Sequence, residues 1–210
     1  MGPAPEDNRV SADEALARLI EGNGRFLRGE ARGAAFRRET LADLARAQRP
    51  YATILGCSDS RVPPEWIFDT GLGELFVVRV AGNILSPEVA GTLQYAGSYL
   101  QTPLFLVLGH EGCGAIAAAL AAKHEGEQFR SRIQTLLASI LPGVPEFEPT
   151  LSPAERLSRA VESNVRWTVR QVLDTPEGQA RVAEGWMKIV GAVYELETGR
   201  VRLLPQEGPA

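Results

Sequence analysis

The sequence predicts an α/β fold with a mostly parallel central sheet of about four strands, an antiparallel edge strand and flanking helices. Short apolar runs alternate with segments of helical periodicity, a pattern typical of parallel strands joined by helices. The last two β-type runs, 186–196 and 200–204, are separated only by Glu-Thr-Gly, which predicts an antiparallel pair. At 210 residues, 44% of them apolar, the chain fits one domain with a sizeable core.

Helices are predicted where apolar residues recur at helical spacing, often behind a capping residue. Ser11 and Glu14 form a capping-box pattern before the first helix, and Ser86-Pro87-Glu88 opens another that runs to about Leu100. The other predicted helices lie around 41–47, at 115–123, at 129–140 and from Ser152 to about Leu173. The buried strands are predicted at 51–56, 74–80 and 103–109. We therefore predict a single domain over 1–210, with an N-terminal helical arm at about 11–50 and an α/β core at 51–205.

Composition excludes several classes of function. The formal net charge is −4, which gives no basic field for nucleic acid or for an anionic membrane surface. No apolar run approaches the ~18 residues that a membrane span needs, and the start of the chain lacks the pattern of a signal peptide. We expect no nucleic-acid partner, no membrane association and a cytoplasmic location, with a removed leader left open.

Metal-type ligands follow two of the predicted strands. "ATILG" runs into Cys57 and Asp59, and "LFLVLG" runs into His110 and Cys113. If these strands are neighbours in a parallel sheet, their carboxyl ends bring the four side chains together. Thiolate, imidazole and carboxylate are ligands that zinc accepts. We also expect His110 and Cys113 to share a helix face, and the helix start to favour the Cys113 thiolate.

Each of these residues also has a plain structural interpretation. A lone cysteine after a strand is most often a small buried hydrophobe, and a lone histidine is most often a hydrogen-bonded structural residue. Asp59 and Arg61 could form an ordinary surface ion pair. The joint pattern favours a metal site, because the chain has only two cysteines and two histidines and three of the four fall at matched strand ends. His124, among charged residues, is predicted to be solvated.

These motifs resemble the β-class carbonic anhydrases. "CSDSR" followed about fifty residues later by "GHxxCG" is that family's pattern, and "LIEGNGRF", "GELFVVRVAGN" and "LQYA" are similar to it as well. The resemblance implies a zinc-binding core, one Zn²⁺ per chain held by Cys57, His110 and Cys113, and a homodimer or a dimer of dimers. It also implies that Asp59 and Arg61 form a catalytic dyad, with Asp59 on the zinc only in a closed state.

The implied activity is the reversible hydration of carbon dioxide to bicarbonate and a proton. Zinc-bound hydroxide would be oriented by Asp59, and Arg61 would hold Asp59 off the metal with two parallel hydrogen bonds. Ile54 stands where one branch of the family has a tryptophan, so we expect an open zinc site. By resemblance, the substrate pocket is expected to include these residues: Gln48, Phe76, Ala81, Tyr95 and Gly114. Glu111 departs from the family pattern, and its charge could hydrogen-bond nearby amides or alter the surroundings of the metal ligands.

Other functions stay open at the level of sequence. A thiol enzyme could use Cys57 or Cys113 as its nucleophile with His110 as the base. A non-catalytic domain could hold structural zinc with all four positions closed. A related zinc hydrolase could act on another small heterocumulene such as carbon disulfide.

Overall fold

The fold is a five-stranded sheet with helices packed against it. The computed structural model describes residues 10–32, 38–148 and 150–205. The strand order is β2-β1-β3-β4-β5, in which the first four strands are parallel and β5 is antiparallel to β4. The predicted fold class, including the antiparallel edge strand, is confirmed.

The strands lie close to where the apolar runs predict them. Their bounds are β1 Ala52–Gly56, β2 Leu75–Arg79, β3 Leu104–His110, β4 Lys188–Tyr194 and β5 Val201–Leu203. β1 and β3 are buried along their whole length, because strands at the centre of the sheet are covered on both faces. β2 forms one edge of the sheet and is only half-buried.

Two helices have no counterpart in the sequence prediction. The helices are α1 Ala12–Leu27, α2 Arg38–Leu44, α3 Pro64–Ile67, α4 Pro87–Tyr95, α5 Gly114–Leu120, α6 Arg132–Ile140, α7 Pro153–Leu173 and α8 Pro176–Ala183. The short α3 and the Thr175-capped α8 were not predicted. Ser11 and Ser86 cap α1 and α4, and Ser152 and Glu155 form the complete capping box of α7. The helix predicted to reach Leu100 changes at Ala96 into a wider π-type turn.

The N-terminal helix α1 is fixed to the core by one buried asparagine. Asn23 donates to the carbonyls of Ile67 (3.2 Å) and Gly199 (2.9 Å), and it accepts from the amide of Val201 at 2.9 Å. Gly22 lets the helix approach this closely, because a Cβ there would lie 1.9 Å from the carbonyl oxygen of Phe68. The predicted arm is thus joined to the segment that follows β1 and to the turn before β5.

The sheet has its topological switch point between β1 and β3. From β1 the chain goes to β2 on one side, and the next strand, β3, lies on the other side. In open α/β sheets ligands bind at this point, outside the carboxyl ends of the strands. Among the helices that the structure describes, none is both long and apolar enough to cross a membrane.

Candidate metal centre

The side chains of Cys57, His110 and Cys113 converge at this switch point. One ligand atom from each lies within 4.8 Å of the others, and all three residues are buried. Cys57 directly follows β1, His110 is the last residue of β3, and Cys113 is the residue that precedes α5. The expectation that His110 and Cys113 share a helix face is wrong, since His110 ends the strand and the helix begins only at Gly114. The two side chains approach each other from the last residue of β3 and from the residue before α5.

The orientation of the His110 ring suits metal binding. Its Nδ1 lies 2.8 Å from the carbonyl oxygen of Glu111, and because a carbonyl only accepts, Nδ1 carries the proton. Nε2 is buried and has no hydrogen-bond partner among the described residues. A buried nitrogen lone pair without a donor is costly, and a metal ion would satisfy it. The hydrogen bond at Nδ1 fixes the tautomer that a metal needs.

The two cysteine thiols shift each other's pKa in opposite directions. The Cys113 thiol donates to Cys57, which lowers the pKa of Cys57 and raises the pKa of Cys113 above its usual range. The amides of Ala115 and Ile116 do favour the Cys113 thiolate, but the neighbouring Cys57 thiolate outweighs them. The expected effect of the helix start on Cys113 is thus present, but the neighbouring sulfur has the larger effect. A bound cation would favour both thiolates.

Asp59 is held by Arg61 through two parallel hydrogen bonds. Arg61 Nε donates to Asp59 Oδ1 at 2.9 Å and Nη2 donates to Oδ2 at 2.8 Å, and the Arg61 amide donates to Oδ1 at 3.0 Å. The hydrogen bonds from the Arg61 side chain lower the pKa of Asp59 below its usual range. Asp59 Oδ2 also lies 3.9 Å from His110 Nε2. The carboxylate is therefore ionised and sits beside the donor cluster.

Two residues near the cluster were missed by the sequence analysis. Arg79, at the end of β2, donates to the carbonyls of Cys57 (2.9 Å) and Asp59 (2.5 Å). The Gly82 amide donates to Cys57 Sγ at 3.4 Å. The only signal for Arg79 is a cation at the end of an apolar run, and a backbone amide leaves no trace in a side-chain pattern.

The predicted pocket residues differ in how close they lie to the cluster. Gly114 is adjacent to Cys113, and a Cβ there would meet no atom within 4 Å. Ala81 lies in the turn that follows β2, and Gln48 is exposed in the segment before β1. Phe76 and Tyr95 contact each other, with ring centroids 6.2 Å apart. Phe76 pairs with Thr53, four residues before Cys57, so it lies about 13 Å along the sheet from its own cluster.

Glu111 and His124 both contact other residues of the chain. The carboxylate of Glu111 accepts from the amide of Leu196 at 3.1 Å, which confirms that it hydrogen-bonds a nearby amide. His124 is not simply solvated, because its side chain is 24% exposed, lies 3.6 Å from Glu146 and packs against the ring of Phe147.

The fold and the cluster define an α/β protein with a candidate metal centre at its switch point. The sequence model of the family described as carbonic anhydrase matches residues 52–201. A carbonic anhydrase of Mycolicibacterium smegmatis is 39% identical over 203 residues, which cover 95% of this chain and 95% of that protein. Carbonic anhydrase 2 of Mycobacterium tuberculosis is also 39% identical, with 95% and 94% covered.

Solved structures point to one class within that family. The Coccomyxa β-carbonic anhydrase, solved in complex with acetazolamide, has a TM-score of 0.71 at 29% identity, with 90% of this chain and 86% of that chain covered. A tetrameric β-carbonic anhydrase of Sordaria macrospora has a TM-score of 0.71 at 26% identity, with 78% and 85% covered. The chain belongs to the carbonic anhydrase family, in its β class. Members of this family are lyases.

Proposed function

We propose that this chain binds one Zn²⁺ through Cys57, His110 and Cys113 and catalyses the reversible hydration of carbon dioxide to bicarbonate and a proton. The observation that carries the proposal is the buried Nε2 of His110, which has no hydrogen-bond partner in the part of the chain that the structure describes and lies within 4.8 Å of two cysteine sulfurs. Two thiolates and one imidazole form a donor set that zinc takes in tetrahedral geometry, with one position left for solvent.

Zinc, when bound, supplies a Lewis acid that lowers the pKa of a water molecule and so provides a nucleophile near neutral pH. Asp59 accepts a hydrogen bond from the attacking water, which aims an oxygen lone pair at the carbon of carbon dioxide. Arg61 keeps the carboxylate in this position, because its two parallel hydrogen bonds occupy both carboxylate oxygens. While that pair persists, Asp59 would not bind the metal ion, and one coordination position would remain for water.

Arg79 supports the same loop from the neighbouring strand. Its guanidinium binds the carbonyls of the first metal ligand and of the dyad acid together. This contact fixes the distance between Cys57 and Asp59, so that ligand and acid move as one unit. Room for a small linear substrate is consistent with the open space beside Gly114, and Ala81 and Gln48 remain proposed pocket residues.

We further propose that the active unit is a homodimer formed through β2. The edge of β2 presents a half-buried apolar strand, and beside it the exposed Tyr99 stacks on Tyr95, with centroids 5.3 Å apart. Unprotected apolar edge strands favour pairing with another chain. Two copies of β2 paired antiparallel about a twofold axis would set the Phe76 end of one beside the Arg79 end of the other. Phe76 and Tyr95 would then line the partner's site.

The test is carbon dioxide hydration by stopped flow, with zinc content measured on the same samples. We expect about one zinc per chain, and a fall in kcat of about 100-fold in Asp59→Asn with zinc retained. Asp43→Asn is the matched control, because Asp43, on α2, forms only an exposed ion pair with Arg46, which follows the helix. A wild-type protein that holds zinc but does not hydrate carbon dioxide would refute the proposed activity.

The other candidate functions have less support. A structural zinc site needs four closed positions, whereas Arg61 occupies the carboxylate that could close it. A thiol enzyme needs an accessible sulfur, whereas Cys57 and Cys113 are 5% and 1% exposed. Carbon disulfide in place of carbon dioxide as the substrate separates carbon dioxide hydration from carbon disulfide hydrolysis. Two free cysteines as ligands fit a reducing compartment, and the cytoplasm remains the predicted location.

A further inference from the structure

The turn after β2, residues 81–83, has an unusual backbone. Gly82 and Asn83 have φ angles of 69° and 44°, so two consecutive residues adopt left-handed conformations. A left-handed conformation is uncommon apart from glycine and, less often, asparagine, and at a residue other than glycine it carries a cost that the surroundings must offset. Gly82 also lies close to its neighbours: a Cβ there would lie 2.8 Å from Cδ1 of Ile140, so the Ile140 side chain would have to shift. The packing around this turn therefore dictates its shape.

Two buried residues of α7 hold the turn by its carbonyl groups. Asn164 Nδ2 donates to the carbonyl of Gly82 at 2.9 Å, and Thr168 Oγ1 donates to the carbonyl of Asn83 at 3.2 Å. Asn164 and Thr168 are each 1% exposed and lie four positions apart, on one face of the helix. The Oδ1 atom of Asn164 is buried without a partner among the described residues. A buried side-chain amide whose donor is bonded and whose acceptor is not requires an explanation other than packing.

The consequence of this turn is a hydrogen bond to a predicted metal ligand. With the carbonyls of Gly82 and Asn83 tied to α7, the Gly82 amide points at Cys57 Sγ, 3.4 Å away. An N–H donor at a thiolate withdraws electron density from the sulfur and fixes its position. Donors around metal ligands in this way adjust how strongly the ligand binds.

We propose that Asn164 and Thr168 are positioning residues for the metal centre, which hold turn 81–83 so that the Gly82 amide donates to the Cys57 thiolate. The inference rests on the proposed function only in requiring that Cys57 bind a metal ion. Neither residue touches the donor cluster itself. They act through the backbone of the turn, across 82 and 85 positions of sequence.

Two variants at one position separate this role from a merely structural one. Thr168→Val removes the hydroxyl but keeps the shape of the side chain, and Thr168→Ser restores the hydroxyl. Thr53→Val is the matched control, because the Thr53 hydroxyl is equally buried and binds the hydroxyl of Thr102 at 2.7 Å, away from the turn. Asn164→Ala tests the contact of Asn164 with the Gly82 carbonyl. If Asn164→Ala does not fold, Thr168→Val still tests the inference.

The direct measurement is proton–cadmium NMR on the ¹¹³Cd-substituted protein. We expect a scalar coupling between ¹¹³Cd and the Gly82 amide proton in wild type, Thr168→Ser and Thr53→Val, and its loss or marked reduction in Thr168→Val and Asn164→Ala. In the Co²⁺ protein, the sulfur-to-cobalt charge-transfer band should move to longer wavelength in those two variants alone. Their release of zinc to a chelator should be about tenfold faster.

Two results would overturn this inference while leaving the proposed metal site intact. One is a wild-type protein that binds one Cd²⁺ per chain without the coupling. The other is a folded Thr168→Val whose coupling, cobalt spectrum and zinc release match Thr53→Val. Failure of wild type to bind Cd²⁺, Co²⁺ or Zn²⁺ would instead refute the proposed metal site and the inference with it.

Discussion

Replacing Asp69 by asparagine should weaken the attachment of the N-terminal segment to the core. The Asp69 carboxylate accepts from Arg25 Nε at 2.5 Å, from the Arg32 amide at 2.8 Å and from Arg32 Nε at 3.3 Å. Asp69 lies two residues after the end of α3, so it links Arg25 of α1 and the following Arg32 to the segment behind α3. Asparagine keeps the shape of the side chain but removes the charge.

The size of the effect follows from the exposure of each partner. The Asp69 side chain is 2% exposed and that of Arg25 is 16% exposed, so their bond is a buried, charge-assisted one worth about 1.5 to 3 kcal/mol. The Arg32 side chain is 68% exposed and adds less than about 1 kcal/mol. We expect Asp69→Asn to lower the free energy of unfolding by about 3 kcal/mol. For a chain of this size, that corresponds to a fall in Tm of about 6 to 12 °C.

The pH dependence of this effect has a definite sign. Burial would raise the pKa of Asp69, but the hydrogen bonds from Arg25 and Arg32 outweigh burial and lower it. A lowered pKa in the folded state stabilises the protein above the unfolded-state pKa of about 3.9, and that contribution is lost as the pH falls toward the folded-state value. The stability difference between wild type and Asp69→Asn should therefore be full at pH 7 and smaller at pH 3.

The assay is urea unfolding at one fixed protein concentration, because dimerisation would make the midpoint depend on concentration. Arg32→Ala is the control and should cost less than about 1 kcal/mol. A loss of under about 1 kcal/mol in Asp69→Asn, or a stability difference that grows on acidification, would refute the reasoning.

Three further predictions concern the site, the interface and the core. Arg79→Gln should lower kcat about 10- to 100-fold with zinc content unchanged, and stopped-flow rates equal to wild type would contradict the role given to Arg79. Tyr99→Arg should shift the protein toward monomer in light scattering coupled to gel filtration; an unchanged mass would place the interface elsewhere. Gly109→Ala should lower the free energy of unfolding by about 1 to 3 kcal/mol, because its Cβ would lie 2.5 Å from Cγ2 of Val165. An unchanged urea midpoint would show that the side chain can move away.

The sequence predicts the parts of the site that depend on strand ends. The apolar runs predict β1 and β3. If these strands are neighbours, Cys57, His110 and Cys113 come together, and in the structure they do. The position of His110 was misjudged because β3 extends one residue further than its apolar pattern. Helix α8 was missed because only Asp174 and Thr175 separate it from the end of the longer α7.

What the sequence could not predict are contacts made through the backbone. The bonds of Arg79 to two carbonyls, of Asn164 to Gly82 and of Gly82 to a sulfur each need the tertiary position of a main-chain atom. No spacing of side chains encodes such a position. Phe76 and Tyr95 illustrate a second limit, because the site role proposed for them requires the proposed second chain.

Zinc K-edge X-ray absorption of the wild-type protein tests the central claim most directly. A centre built from Cys57, His110 and Cys113 predicts two sulfur neighbours at about 2.3 Å, one imidazole nitrogen at about 2.0 to 2.1 Å and one further light atom from solvent. A spectrum with fewer than two sulfur neighbours, or a purified protein that takes up no zinc, would contradict it.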